Sequence, residues 1–155
     1  MNPDITNTPE TMPRELAWLG YGGLVPFVGL LSIVLVDPHH GLVWADAMVA
    51  YGAIILGFVG ALHWGFAMSL PGLSRQQRRR RYVWSVVPAL LAWPATLFAP
   101  WMAALVLVPG FILHYLQDRR LATIAALPTW YLPLRLRLSV VGCLCLCIAG
   151  ALTFY

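Results

Sequence analysis

The sequence predicts an all-α protein, an integral membrane bundle of five transmembrane helices, and three observations carry that reading. Hydrophobic residues make up 60% of the 155 and charged residues only 10%, where soluble domains carry about 25% charged residues. Ten basic and six acidic side chains cannot cover a water-soluble globule with polar atoms, which disfavours a soluble enzyme, a nucleic-acid module and a disordered chain alike. Five windows of roughly 20 residues contain no Asp, Glu or Arg, the length that a hydrocarbon layer about 30 Å thick requires. The chain has no lysine, and all ten arginines fall in alternate inter-span segments.

The elements follow in order. Residues 1–15 form an N-terminal tail with Asp4, Glu10 and Glu15 against Arg14 and no apolar run, so neither a cleaved signal peptide nor an Arg-rich transit peptide is expected there. The first span, Leu16 to Val36, should act as an uncleaved insertion signal, and Asp37-Pro38-His39-His40-Gly41 ends it. The second runs from Ala47 to Leu70. The third, Tyr82 to Ala99, and the fourth, Trp101 to Gln117, are short and joined through Pro100, which makes a tight antiparallel hairpin; Pro88, Pro94 and Pro109 should kink them. Residues 119–137 mix aromatics, prolines and arginines around Leu127-Pro128-Thr129-Trp130-Tyr131, the composition of a segment lying on the cytoplasmic surface. The last span is Leu138 to Tyr155. Trp44 and Trp101 mark one water boundary, and Trp18, Trp84 and Trp130 the other. No window has the polar face of a soluble helix or the alternation of a β-barrel strand, and no internal repeat is visible.

Orientation follows from arginine alone. With a cytoplasmic N-terminus, the inside segments hold Arg14, Arg75, Arg78 to Arg81, Arg119, Arg120, Arg135 and Arg137, and the outside segments hold none. The positive-inside rule therefore places the N-terminus in the cytoplasm and the C-terminus in the periplasm. The expected site is the bacterial inner membrane.

Candidate functional residues are few. Ala53, Gly57, Ala61 and Gly65 recur every four residues, with Trp64 beside them, a ridge on which another helix can approach closely. His63 is the only ionisable side chain well inside a window, and an intramembrane ionisable group marks a functional site by default; the competing reading is a neutral imidazole bonded to a neighbouring helix. His114, on the fourth span and nearer the same surface, could pair with His63 as axial ligands of a b-type haem. Arg75 and Arg78, Arg79, Arg80 and Arg81 could hold anionic headgroups or an acidic partner, or could simply fix topology. Cys143, Cys145 and Cys147 do not share one helix face, and read as small apolar fillers. There is no nucleophile with a base, no carboxylate pair, no phosphate loop and no metal-ligand spacing, so neither an enzyme nor a metal site is expected. Nucleic-acid binding is not expected either, because the basic pI of about 9.3 comes from membrane-flanking arginines.

Three blocks carry a resemblance: Leu19-Gly20-Tyr21-Gly22-Gly23-Leu24-Val25-Pro26-Phe27; Tyr51-Gly52-Ala53-Ile54-Ile55 with Gly60-Ala61-Leu62-His63-Trp64-Gly65; and Leu127-Pro128-Thr129-Trp130-Tyr131 with Leu134-Arg135-Leu136. Over residues 14–155 the chain resembles the family of small bacterial membrane proteins of unknown function that includes animal transmembrane protein 69. The resemblance implies a compact multi-pass inner-membrane protein, with the animal relatives expected in mitochondria. It implies no activity, cofactor or substrate.

The expectation is a non-enzymatic helix-packing module, one that joins a homo-oligomer or a larger inner-membrane complex and supports its assembly or stability. The alternative is a small binding or transport protein in which His63 and Trp64 serve a proton, a quinone or haem.

Overall fold

The computed structural model describes residues 11–154. Most of the N-terminal tail, with Asp4 and Glu10, and Tyr155 at the end of the last window therefore lie outside the described residues. Within them the chain forms six α-helices: α1 (Arg14–Gly22), α2 (Val25–Val36), α3 (Gly41–Ser69), α4 (Arg75–Ala95), α5 (Pro100–Ala122) and α6 (Tyr131–Leu152), with one 3₁₀ turn at Pro38–His40 and no strand among the described residues. The all-helical class stands. Four stretches are long and apolar enough to cross a bilayer: Arg14–Val36, Pro38–Ser69, Pro100–Ala122 and Tyr131–Leu152.

The helices do not stop where the charge-free windows stop, because a charge at a membrane boundary ends an apolar window without ending a helix. α3 begins at Gly41 and carries exposed Asp46 in its second turn. α4 begins at Arg75, inside the arginine run. There Ser74 Oγ accepts from the Gln77 amide at 3.2 Å, and Gln77 Oε1 accepts from the Ser74 amide at 2.8 Å, a reciprocal cap that satisfies two end groups. With that run included, α4 is not among the four spanning candidates. Of residues 119–137, the first four complete α5 and the last seven open α6, so only the stretch between them connects the two helices.

The first window is broken. Pro26 near the start of α2 has no amide to continue the ladder, and the chain turns at Gly23 and Leu24. The Tyr51 hydroxyl of α3 reaches this break and donates to the Gly23 carbonyl at 2.9 Å. At the other end of α2, His40 lies 2.9 Å from Asp37, and this bond holds the Asp37 carboxyl below its usual range.

α3 is the central helix. It packs most extensively on α4 and also meets α2, α5 and α6. Its buried positions are Gly41, Ala45, Met48, Val49, Gly52, Leu56, Val59, Gly60, His63 and Ala67, a stripe at helical spacing. With Ala92, Ala95, Ala103, Leu107, Phe111, Leu146 and Ala149 it forms the apolar core. This stripe is turned by about one residue, roughly 100°, from the ridge of Ala53, Gly57, Ala61 and Gly65.

Candidate functional site

Toward the arginine-bearing end of the bundle the core changes character. His63 of α3, His114 and Asp118 of α5 and Arg135 of α6 come together, the first three with no solvent exposure and Arg135 at 6%. His114 and Asp118 are four residues apart, so they share one face of α5 and look toward α3 and α6. His63 Nε2 lies 3.0 Å from Asp118 Oδ1, and Arg135 Nε donates to Asp118 Oδ2 at 3.0 Å. His114 Nδ1 stands between the two charges, 3.5 Å from Asp118 Oδ2 and 3.4 Å from Arg135 Nη2.

The charges balance. A buried carboxylate costs several kcal/mol unless it is paired and its lone pairs are engaged, and here one oxygen faces an imidazole and the other a guanidinium. Since Asp118 beside Arg135 is ionised, the His63 Nε2–H donates to it. Nδ1 of the same ring is buried without a partner, as is Nε2 of His114. Nδ1 of His114 serves one neighbour at a time: unprotonated it accepts from Arg135, and protonated it donates to Asp118. Rings wall the centre off. Phe66 meets His63 edge-on at 5.9 Å, Tyr131 meets Phe66 at 5.6 Å, and Trp84 lies 6.5 Å from His114.

The two histidines named from the sequence are thus brought together, but not as haem ligands would be. Their rings touch edge to face, 5.0 Å between centroids and 68° between planes, which leaves no slot for a flat macrocycle. A donor set that linear spacing does not reveal is also present, since ligand atoms of His63, His114 and Asp118 lie within 4.8 Å of one another. Arg135 presses its fixed positive charge on both Asp118 and His114, however, so the set reads as a charge-paired network and not as a cation cradle.

Sequence reasoning gave neither Asp118 nor Arg135 a place in a site: Asp118 stands just past the end of the fourth window, and Arg135 counted only toward orientation and the resemblance. One signal was available: Asp118 is the sole acid from Ala47 to the end of the chain and stands one helical turn after His114. The small-residue ridge is partly used within the chain. A Cβ on Gly57 would meet Ala89 at 3.6 Å, and neighbouring Gly60 is closed off by Pro88, whereas Ala53 packs at the edge of the core. Ala61, Trp64 and Gly65 are exposed, with Trp64 edge-on to Tyr82 at 5.0 Å. The arginines divide as well. Arg78 donates to the Ala67 and Leu70 carbonyls and closes the end of α3, and Arg81 is buried and donates to the Gln117 carbonyl at 3.2 Å. Arg75, Arg79 and Arg80 are exposed. Of the three cysteines, Cys145 is buried, Cys143 half-buried and Cys147 exposed.

Residues 12–151 match the family described as Protein of unknown function (DUF3429). The chain belongs to this family. It is 38% identical over 134 residues to Transmembrane protein 69 of Xenopus tropicalis, covering 84% of this chain and 51% of that protein. Transmembrane protein 69 of Mus musculus is 25% identical over 134 residues, with 84% and 53% covered. The chain thus spans about half the length of the curated relatives it matches. No solved structure matches it. This DUF3429 member is accordingly a multi-pass membrane protein of the group that includes Transmembrane protein 69.

Proposed function

We propose that this DUF3429 member is a five-span, non-enzymatic protein of the bacterial inner membrane, N-terminus cytoplasmic and C-terminus periplasmic, whose working part is an intramembrane proton-binding centre at His63, His114, Asp118 and Arg135. The observation that carries the reading is the buried, unpartnered Nδ1 of His63, on the ring whose other nitrogen already faces Asp118. A proton taken up at Nδ1 makes an imidazolium with its counter-ion in place, and that pairing is what allows a charge to exist at such depth. The charged and titratable groups around the ring are Asp118 and His114 of α5, Arg135 and Tyr131 of α6, and Arg81 of α4. His114 gives the centre two arrangements, one bonded to Arg135 and one to Asp118, so proton uptake can be relayed to the contact between α5 and α6.

The test is imidazole nitrogen NMR of the full chain in lipid nanodiscs between about pH 5 and about pH 8, the range in which histidine ordinarily titrates. Of the two buried imidazoles, one is expected to gain a proton reversibly, its signal to vanish in His63→Gln, and its proton uptake to weaken in Asp118→Asn. A His63 ring that stays neutral across the whole range, or a titration indifferent to Asp118, would sink the reading.

The topology in this proposal rests on the arginine distribution together with the close packing of α4 along α3, which covers a helix whose arginines reach the membrane surface from its first two turns. Reporter fusions after Arg80 and after Tyr155 should read cytoplasmic and periplasmic. A cysteine placed at Pro100 should be labelled from outside; if it is shielded from both sides, α4 and α5 form a re-entrant pair.

A second reading, a packing module of a homo-oligomer or a larger membrane complex, is favoured by one patch. Ala61, Trp64, Gly65 and Met68 are exposed on α3, and a Cβ on Gly65 would meet nothing within 4 Å. Crosslinking in mild detergent tests it: Gly65→Leu should abolish any adduct while leaving the monomer's stability unchanged.

A further inference from the structure

The arginine end holds a second feature that the buried centre does not use. Between α4 and α5 lies an open groove of about 700 Å³ whose walls include Arg79, Arg80, Arg81 and Trp84 from α4 and Gln117 and Arg120 from α5. Four cations thus converge from two helices, and no carboxylate lines the space. The nearest acid in sequence, Asp118, faces the other side of α5 and is committed to Arg135 and His63. The guanidinium groups of Arg79, Arg80 and Arg120 make no hydrogen bond or ion pair with the rest of the described chain, and that of Arg81 has only the Gln117 carbonyl and amide oxygens as hydrogen-bond partners. Like charges held this close repel one another until an anion stands between them.

We infer that this groove binds the phosphate-bearing headgroup of an anionic phospholipid. Guanidinium forks match phosphate oxygens in geometry as well as in charge. A lipid fits better than a free phosphate because the groove is two-toned. Past the arginines along α4 it is lined by Val83, exposed at 59%, and the outer face of α4 continues apolar through Val86 and Leu90. An acyl chain can follow that face while its headgroup stays among the arginines. The site differs from the arginine run read in the sequence: Arg78 leaves it to cap α3, and Arg120 and Gln117 join it from a segment 36 residues and more away.

The experiment uses the full chain, delipidated in a neutral detergent, titrated with phosphatidylglycerol, with phosphatidylcholine and with inorganic pyrophosphate, and read by native mass spectrometry. Arg80→Gln/Arg120→Gln removes two groove charges, whereas Arg14→Gln/Arg119→Gln removes two exposed charges elsewhere, and all four side chains are on the surface, so both variants should keep the wild-type unfolding midpoint. Phosphatidylglycerol binding is expected to fall roughly tenfold in the groove variant and less than about twofold in the control. Equal losses in the two variants would reduce the site to general surface charge and overturn the inference. So would phosphatidylcholine binding as well as phosphatidylglycerol. Pyrophosphate that binds as tightly as the lipid would assign the groove to a soluble anion instead.

Discussion

The two ends of the bundle are held together by different physics. Near Pro38 and Pro100, α3, α4, α5 and α6 meet through Ala45, Met48, Ala92, Ala95, Ala103, Leu107, Leu146 and Ala149, all buried, and a Cβ on Gly150 would stand 3.2 Å from the Trp101 backbone. At the arginine end the same helices α3, α5 and α6 meet through one carboxylate and its three partners. In lipid an apolar side chain gains nothing by leaving the bilayer for the protein core, so the apolar end rests on close contact alone and loses stability in small steps. The polar end is directional and has no lipid-compatible alternative, so it should fail abruptly.

The largest expected effect follows from that contrast. Asp118→Ala leaves the Arg135 guanidinium buried beside the His114 imidazole with no counter-charge, a loss of about 3–5 kcal/mol by analogy with other broken buried pairs. Denaturant unfolding in detergent would measure it. The double variant Asp118→Leu/Arg135→Met removes both charges and should recover a good part of the loss, because the cost of the single change is mainly the stranded cation. A single variant within about 1 kcal/mol of wild type would mean that water reaches Arg135, and the contrast between the ends would collapse.

Much of this was legible in the sequence, and the part that was not has a common cause. Charge-free windows locate α2, α3, α5 and α6 because lipid forbids unpaired charge on an exposed face. The same rule hides Asp118 and Arg135, since it treats every charge as a boundary and is silent on a charge whose partner lies on another helix. His63 and His114 were visible because histidine does not end an apolar window. Small-residue spacing located the packing side of α3 to within about one position, but four-residue spacing alone cannot say which of two adjacent stripes is the deeper. The stripe that is buried, from Gly52 to Ala67, was settled by what α4, α5 and α6 present to it. The break at Gly23 and Leu24 escaped because Pro26 alone is compatible with either a kink or a new helix start.

Between the two ends, Gly60 and Gly110 sharpen the comparison. A Cβ on Gly60 would lie 2.9 Å from Pro88 Cγ and 3.0 Å from the Ser85 carbonyl oxygen, a ring and a backbone that cannot step aside. Gly60→Ala should cost about 2 kcal/mol by overpacking and separate α3 from α4. At Gly110 the nearest atom is a terminal methyl of Leu56 at 2.7 Å, which a rotamer change can move, so Gly110→Ala should cost clearly less. Equal losses would mean that the core around Leu56 is as rigid as the Pro88 contact. Within the apolar end, Leu107→Ala should lose only about 1.5 kcal/mol, the cavity term at ~24 cal/mol per Å³ for a void of roughly 60 Å³, without the transfer term that water would add. A loss as large as that of Asp118→Ala would show that the apolar end is not the tolerant one.

The smallest effect concerns a polar bond between α3 and the break before α2. At the break between α1 and α2 the helical ladder is interrupted, and in lipid an unbonded carbonyl has no water to turn to. Tyr51 supplies the missing donor at 2.9 Å, and Phe27 meets its ring edge-on at 5.0 Å. Tyr51→Phe keeps that ring contact and removes only the hydroxyl, so the expected loss is about 1 kcal/mol. Beyond that modest loss, α1 has no buried residue and little hold on the bundle apart from α6. Hydrogen exchange should therefore rise across Arg14–Gly22 and stay unchanged in α5 and α6. If exchange rises in α5 as well, the bond at Gly23 supports the whole apolar core, and the two ends are coupled through α3 more tightly than separate modes of packing would allow.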